Sequence, residues 1–161
     1  MVIRPCTTND ISAICAIYNY YIEHTVITFE ETPLSIEQMR ERFHSYTQLY
    51  PWLVCEHNNE VVGYAYASKW KERSAYKHTA EVTVYLKHGL LQKGFGSALY
   101  TELFAQLKAT GCHVLLGCLA IPNEPSARLH ERFGFTKIAH FTEVGRKFDR
   151  WVDVGYWQKV L

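Results

Sequence analysis

Residues 92–97 of this 161-residue chain, Gln-Lys-Gly-Phe-Gly-Ser, combine residue types that suit the binding of an anion. Gly94 and Gly96 carry no Cβ, so backbone N–H groups beside them can approach a ligand closely. A helical pattern begins at Ser97, whose helix dipole favours negative charge at the same place, and Lys93 adds a formal positive charge. The chemistry that this loop could serve is phosphate or pyrophosphate binding. A tight turn without a ligand is the alternative that these residues alone leave open.

The loop differs from two well-known phosphate motifs. A P-loop requires Gly-Lys followed by Ser or Thr, which is absent here, and the dinucleotide-binding fingerprint would need a glycine at Leu99. No pair of the five cysteines has the spacing of a metal knuckle or of a Cys-x-x-Cys motif, and the histidines show no ligand spacing. No metal site is therefore predicted.

The elements that must position the loop follow from hydrophobic patterning. Strands are predicted at residues 1–5, 52–57, 61–70, 79–86, 113–120, 135–144 and 150–160, and helices at 7–23, 35–46, 97–111 and 123–133. Thr8 or Asn9 is expected to cap the first helix, and Ser35 with Gln38 has the spacing of a capping box in the second. The pattern predicts an α+β fold with a mostly antiparallel sheet and one β-α-β crossover in the second half.

Composition limits the classes of function. The chain is 48% hydrophobic and 20% charged, which is typical of one globular domain spanning residues 1–161. A net charge of +1 gives no electrostatic case for a nucleic-acid partner. No apolar run approaches the roughly 20 residues of a membrane span, and no signal-peptide core is visible. Five scattered cysteines favour reduced thiols and a cytoplasmic location.

The loop resembles the Q/R-x-x-G-x-G/A loop of the GNAT acyltransferases, which holds the pyrophosphate of acetyl-CoA. The segments "PWLVCE", "GYAYASKWKERSAYKHTAEVTVYL", "PNEPSARLHERFGF" and "GRKFDRWVDVGYWQ" resemble the phosphinothricin and methionine sulfoximine N-acetyltransferase branch of that superfamily, in its order and over nearly the whole chain. The resemblance implies the GNAT fold, in which strands 79–86 and 113–120 splay apart at the centre of the sheet. It also implies a homodimer, because the branch's acceptor site lies near a two-fold interface.

The same resemblance implies where acetyl-CoA, the expected co-substrate, would bind. The pantetheine arm would lie between the splayed strands and form hydrogen bonds with Val84, Tyr85 and Leu86. Asn123 and Ser126, after the second of these strands, would also face it. The pyrophosphate would lie on Gln92, Lys93, Gly94, Phe95, Gly96 and Ser97.

Acetyl transfer requires a neutral amine, and because an α-amino group has a reference pKa of about 7.7–8.0, a modest base suffices. Glu81, in an otherwise apolar and hydroxylic strand, is the candidate base, acting through a water; a solvent-facing carboxylate is the alternative. In the family the backbone N–H at the position of Val84 stabilises the developing oxyanion. His130 stands where many GNATs carry a tyrosine thought to protonate the leaving thiolate; a half-buried histidine that only packs is the alternative.

The resemblance also points to an acceptor side for a small-molecule amine. Arg73 would bind a carboxylate or phosphinate bidentately, unless it forms only a surface salt bridge. The full predicted set is Arg73, Ser74, Ala75 and Tyr76, with Phe29 as a wall and Lys147 as a second anion contact.

The prediction is an acetyl-CoA-dependent N-acetyltransferase for the α-amine of a small amino acid or analogue, such as phosphinothricin or methionine sulfoximine. One alternative is a GNAT enzyme for another amine class, either a polyamine or a protein N-terminus. A second alternative is a CoA-binding module without turnover. An acidic pocket would favour a polyamine, whereas Arg73 favours an anionic acceptor.

Overall fold

The computed structural model describes residues 1–90 and 94–161. In this part of the chain the elements are β1 (Val2–Pro5), α1 (Ile11–His24), α2 (Ile36–Thr47), β2 (Trp52–His57), β3 (Glu60–Lys69), β4 (Thr79–Leu86), α3 (Phe95–Ala109), β5 (Val114–Ile121), α4 (Glu124–Arg132), β6 (Thr136–Lys147) and β7 (Arg150–Val160). The predicted α+β class is confirmed. No helix within the described residues is long and apolar enough for a bilayer crossing.

The strands form one sheet in the order β1-β2-β3-β4-β5-β7-β6. Every neighbouring pair is antiparallel except β4 and β5, which are parallel and connected through α3. This pair is the predicted β-α-β crossover, because parallel neighbours need a long connection over one face of the sheet. The antiparallel pairs on either side of it make the sheet mixed but mostly antiparallel, as predicted.

The two central strands separate partway along their length. β4 pairs with β5 only where Thr79–Glu81 lie opposite Val114–Leu116. Beyond that point β4 continues against β3 up to Leu86, and β5 continues against β7 up to Ile121. The sheet therefore opens into a gap between the second halves of these strands, which confirms the splay.

Both faces of the sheet are covered by helices. Leu99, Leu103 and Leu107 form the predicted stripe of α3 and are completely buried in the cluster that contains Ala65. The neighbouring residue Tyr64 lies in a second cluster, formed with α1 and α2. Since successive strand residues point to opposite faces, α3 covers one face of the sheet and α1 with α2 covers the other.

Two helix starts show what local sequence can and cannot indicate. Ser35 Oγ accepts a hydrogen bond from the Gln38 N–H at 3.1 Å, and Gln38 Oε1 accepts from the Ser35 N–H at 2.8 Å, so the capping box is confirmed. The cap predicted at Thr8 or Asn9 is wrong, because residues 8–10 form a 3₁₀ turn and Thr7 precedes it. Asp10 accepts from the Thr7 N–H and from Arg4 of β1, a partner that helix-start rules do not include.

Candidate active site

A cleft of about 600 Å³ lies beside the second half of β4, past its last pairing with β5, and extends to the starts of α3 and α4. Its lining includes three groups predicted from the sequence: Val84–Leu86 on β4, Gly94–Ser97 at the start of α3, and Asn123 with Ser126 at the start of α4. The fold thus brings residues that are up to 42 positions apart into one continuous site. Gln92 and Lys93, also predicted, lie outside the described residues.

The β4 edge of the cleft presents backbone groups. The Lys87 N–H donates to the Val62 carbonyl of β3, and the Leu86 carbonyl accepts from the Tyr21 hydroxyl of α1 at 2.6 Å. Alternate residues of an antiparallel strand turn their N–H and C=O groups to the same neighbour. Residues 84 and 86 therefore face away from β3, which directs the Val84 N–H into the gap.

The start of α3 closes one end of the cleft. Gly94 is its N-cap with φ +81°, a left-handed conformation that glycine adopts without strain, and it supplies no capping side chain. No side chain of the described residues caps the N–H groups of the first turn, so these groups can serve a ligand, and the helix dipole makes an anion the favoured one. A Cβ on Gly96 would lie 3.3 Å from the Leu129 side chain, so the neighbouring helix α4 packs closely here.

The cleft is also lined by seven residues that the sequence reasoning did not identify: Tyr21, Ile27, Glu124, Pro125, Arg128, Leu129 and Arg132. Arg132 Nη1 donates to the Ser97 hydroxyl at 3.4 Å, which holds its guanidinium beside the start of α3. Arg128 and Arg132 are four positions apart and so share one face of α4. That spacing was the available signal. Glu124 also lines the cleft and lies 3.6 Å from Arg128 Nε, so the rim carries two guanidinium groups against one carboxylate.

Glu81 lies on β4 at the last position that pairs with β5, where the gap begins. Its side chain shares a sheet face with Thr83 and Tyr85, opposite to the face covered by α3. Burial raises the pKa of the Glu81 carboxyl. A carboxylate with a raised pKa beside a cleft is suited to accept a proton near neutral pH.

His130 is 2% exposed and lies beneath β5, outside the residues that line the cleft. Its Nδ1–H donates to the Ser126 carbonyl at 2.8 Å, so Nε2 accepts from the Tyr100 hydroxyl at 3.2 Å. A Cβ on Gly117 would approach Nε2 to 2.4 Å. These contacts are those of a packed neutral histidine, and its part in protonating the thiolate stays a prediction.

The buried His130 should make stability fall in mild acid. Burial lowers the pKa of its imidazole below the unfolded value of about 6.5. Well above pH 6.5 both states are neutral and the contribution is complete. As the pH falls from about 6.5 through the folded pKa, the unfolded chain binds a proton before the folded chain does, and the contribution is lost. We expect His130→Gln to flatten the decline in the free energy of unfolding between pH 7 and 5, measured with urea. Parallel profiles for variant and parent would contradict this.

The predicted acceptor segment lies apart from the cleft in the single chain. Arg73, Ser74 and Ala75 are exposed, and Tyr76 is half-buried with its ring 5.1 Å from that of Trp70. The turn that they form precedes the start of β4, whereas the cleft opens beside its second half. The structure therefore does not bring these residues together with Val84, and their role in acceptor binding stays a prediction.

Phe29 and Lys147 meet at the loop between α1 and α2. The Phe29 ring lies against Gly145 of β6, where a Cβ would be 2.2 Å from it, and the side chain remains 41% exposed. Lys147 is 2% exposed, and its Nζ donates to the Thr28 carbonyl at 2.9 Å. In this structure the ammonium contacts the loop backbone in place of the anion predicted from the sequence.

The fold and site define a class of protein: a splayed mixed sheet that opens onto a helix N-terminus and a rim with two guanidinium groups. Residues 3–155 match the acetyltransferase (GNAT) domain family. The chain therefore belongs to the GNAT family, as the loop motif predicted, and it is an N-acetyltransferase.

Several known proteins that are similar to this chain are named for the amino-acid analogues on which they act. The phosphinothricin N-acetyltransferase of Streptomyces viridochromogenes is 40% identical over 98% of this chain and 86% of its own length. The L-methionine sulfoximine/L-methionine sulfone acetyltransferase of Salmonella typhimurium is 34% identical over 100% of this chain and 95% of its own. The crystal structure of a phosphinothricin acetyltransferase from Sinorhizobium meliloti in complex with acetyl-CoA is similar with a TM-score of 0.96 and 33% identity, over 99% of this chain and 88% of that one.

Proposed function

We propose that this enzyme transfers an acetyl group from acetyl-CoA to the α-amine of a small amino acid or analogue of the phosphinothricin and methionine sulfoximine type. The observation that carries the proposal is a cleft that joins the part of β4 not paired with β5 to the start of α3. The relatives named above support the acceptor class, because they match nearly the whole chain.

The lining of the cleft fits the two parts of acetyl-CoA. The first turn of α3, with Gly94, and the guanidinium groups of Arg128 and Arg132 would hold its phosphates. The exposed edge of β4 would hold the amide-bearing arm by strand-like hydrogen bonds. Asn123 Oδ1 already accepts from the Ser126 N–H at 3.3 Å, which leaves its side-chain N–H groups available to the same ligand.

The residues around the β4 gap provide the groups for acetyl transfer. Acetyl-CoA, when bound, supplies an activated thioester. The Val84 N–H would donate to the oxygen on which negative charge develops, a contribution that is large when the donor is fixed in advance. Glu81 would take the proton of the amine through a water. His130 would act through Ser126, whose carbonyl it holds in the first turn of α4. The leaving thiolate, whose thiol has a reference pKa near 8.5, benefits only modestly from a proton donor.

A panel of amines tests this function. Release of the CoA thiol should be fast with phosphinothricin and methionine sulfoximine, and slow with a polyamine and with a peptide that begins with alanine. Fast turnover of the polyamine or the peptide would move the enzyme to another acceptor class. Tight binding of acetyl-CoA by calorimetry, with no turnover of any amine, would identify a CoA-binding module instead.

Arg73→Ala tests the acceptor side of the proposal. If Arg73 holds the carboxylate or phosphinate, its loss should cost about 2–3 kcal/mol in kcat/KM for the amino acid. The effect should appear in KM for the amino acid and leave KM for acetyl-CoA nearly unchanged. Arg73→Lys should recover only part of the loss, because an ammonium cannot form a bidentate contact. An amine without the carboxylate should be a poor substrate that responds little. Equal losses for both kinds of amine would assign Arg73 to the fold or the assembly.

A homodimer is part of the proposal, because a second subunit would explain two features of the surface. Exposed apolar side chains lie along the β6–β7 hairpin, among them Phe141, Val144, Phe148 and Trp151, which is 60% exposed. Arg73 is also exposed in the single chain, so an interface could enclose it. Sedimentation at micromolar concentration should give twice the mass of the chain, and a monomer would contradict this part of the proposal.

A further inference from the structure

A network of buried and half-buried polar groups holds the loop between α1 and α2, residues 25–35, from two sides. On one side Lys147, at the end of β6, donates to the Thr28 carbonyl at 2.9 Å. On the other side Arg42 of α2 donates to both oxygens of the Glu30 carboxylate, at 2.8 and 2.6 Å. The two contacts bridge 119 and 12 positions of the chain, so neither belongs to local turn geometry.

Tyr18 of α1 joins the two sides. Its hydroxyl donates to the Glu30 carboxylate and accepts from the Thr28 hydroxyl at 2.8 Å. The Arg42 guanidinium lowers the pKa of Glu30, so this carboxylate is charged at neutral pH. Burial raises the pKa of the Tyr18 hydroxyl to about 12, which keeps it a donor. Glu30 and Tyr18 are thus in the protonation states that their hydrogen bonds require. Burial lowers the pKa of Lys147, and the nearby charges of Glu31 and Glu30 oppose that effect.

The loop that this network holds is part of the cleft. Ile27 lines the cavity together with Val84 and Tyr85 of β4. The Tyr18 ring lies edge-on to that of Tyr85, with 5.1 Å between centroids. The position of the loop therefore sets the shape of the cleft beside Val84, where the reacting groups would meet.

We infer that Lys147 and Arg42 are positioning residues for the acceptor: they clamp residues 25–35 so that the loop forms a fixed wall at the reacting end of the cleft. The inference rests on the proposed acetyl transfer for its kinetic consequence. A loop that is ordered before binding costs less free energy when the acceptor binds, so loosening it should raise KM for the acceptor. The far end of the cleft, at the start of α3, should retain its affinity for acetyl-CoA.

Lys147→Met tests one side, because methionine keeps the unbranched stem and removes the donor. The matched control is Lys159→Met, since Lys159 Nζ donates to the Phe133 carbonyl at 2.7 Å, a contact of the same kind that does not involve the loop. We expect Lys147→Met to raise KM for the amino acid on the order of tenfold and to change KM for acetyl-CoA less than twofold. Lys159→Met should alter neither KM value.

Arg42→Met tests the other side and remains informative if Lys147→Met fails to fold. Its control is Arg40→Met on the same helix, because Arg40 pairs with Glu37 of that helix and not with the loop. Arg42→Met should reproduce the rise in acceptor KM, Arg42→Lys should recover part of it, and Arg40→Met should behave as the parent.

Hydrogen exchange provides a readout that does not depend on turnover. Amides of residues 25–35 should exchange faster in Lys147→Met and Arg42→Met and remain as protected as in the parent in both controls. Faster exchange in a protein that acetylates no amine would contradict the proposed function and leave the clamp intact. A lower melting temperature with unchanged exchange and unchanged acceptor KM would overturn the clamp and leave only a contribution to folding.

Discussion

Glu81→Gln is expected to lower kcat/KM for the amine by about 100-fold near pH 6.5, within the range for loss of a general base. The loss should shrink as the pH rises, because a growing fraction of the amine is then neutral without help. Binding of acetyl-CoA, measured by calorimetry, should be unchanged, since Glu81 lies where the gap begins and outside the cleft lining. If the pH–rate profiles of variant and parent superimpose, Glu81 is not the base.

Glu81→Gln should lower activity, but it should raise the free energy of unfolding near neutral pH. Burial raises the pKa of Glu81 above the unfolded value, so below about pH 4.5 the carboxyl is protonated in both states and carries no penalty. As the pH rises through the folded pKa, the native state must bury a charge, and stability falls. Glutamine carries no charge at any pH and so avoids this penalty. We therefore expect the variant to have a higher free energy of unfolding in urea than the parent at pH 7.5, and the same value at pH 4.

A control separates this site from carboxylates in general. Glu102 is exposed on α3, where it accepts a hydrogen bond from Gln106. Glu102→Gln should leave both the pH–rate profile and the difference in stability between pH 4 and 7.5 as in the parent. A residue whose removal stabilises the fold while it impairs turnover is one that packing alone does not explain, so the two measurements together test the assignment more sharply than either one.

Local sequence rules predicted the elements well where the deciding contacts are local. The Leu99, Leu103 and Leu107 stripe gave α3, and the Ser35–Gln38 spacing gave the start of α2, because each depends on residues within two turns. The splay of β4 from β5 came from the family resemblance instead. Periodicity describes which face a residue occupies, whereas the splay depends on where pairing between two strands stops.

The site was less accessible to sequence reasoning, because its details depend on distant residues. His130 does lie four positions after Ser126 on α4, yet Tyr100 and Gly117 decide that the ring points beneath the sheet and not into the cleft. Lys147 has its partner, Thr28, 119 positions earlier in the chain. Spacing within a helix or strand limits the direction of a side chain, and the packing of other elements then selects among the directions that remain.

Gly94→Val should sharply weaken binding of acetyl-CoA. A Cβ at this position meets no atom of the described residues within 4 Å, so the substitution is not expected to clash with them. A branched side chain at the start of α3 would keep the phosphates from the first-turn N–H groups. Loss of one hydrogen bond to a charged group costs about 1.5–3 kcal/mol, which corresponds to roughly 10- to 100-fold in affinity. Calorimetric titration with acetyl-CoA measures this directly.

Gly111→Val is the control that separates the ligand from backbone strain. Gly111 follows α3 with φ +82°, against +81° at Gly94, and a Cβ there also meets no atom within 4 Å. Both variants should therefore lose a similar stability, about 1–2 kcal/mol for a left-handed non-glycine residue, in urea unfolding. Only Gly94→Val should lose affinity, because only Gly94 lines the cleft. Equal acetyl-CoA affinities in the two folded variants would show that the start of α3 does not hold the phosphates, and the anion site predicted from the loop would then be wrong.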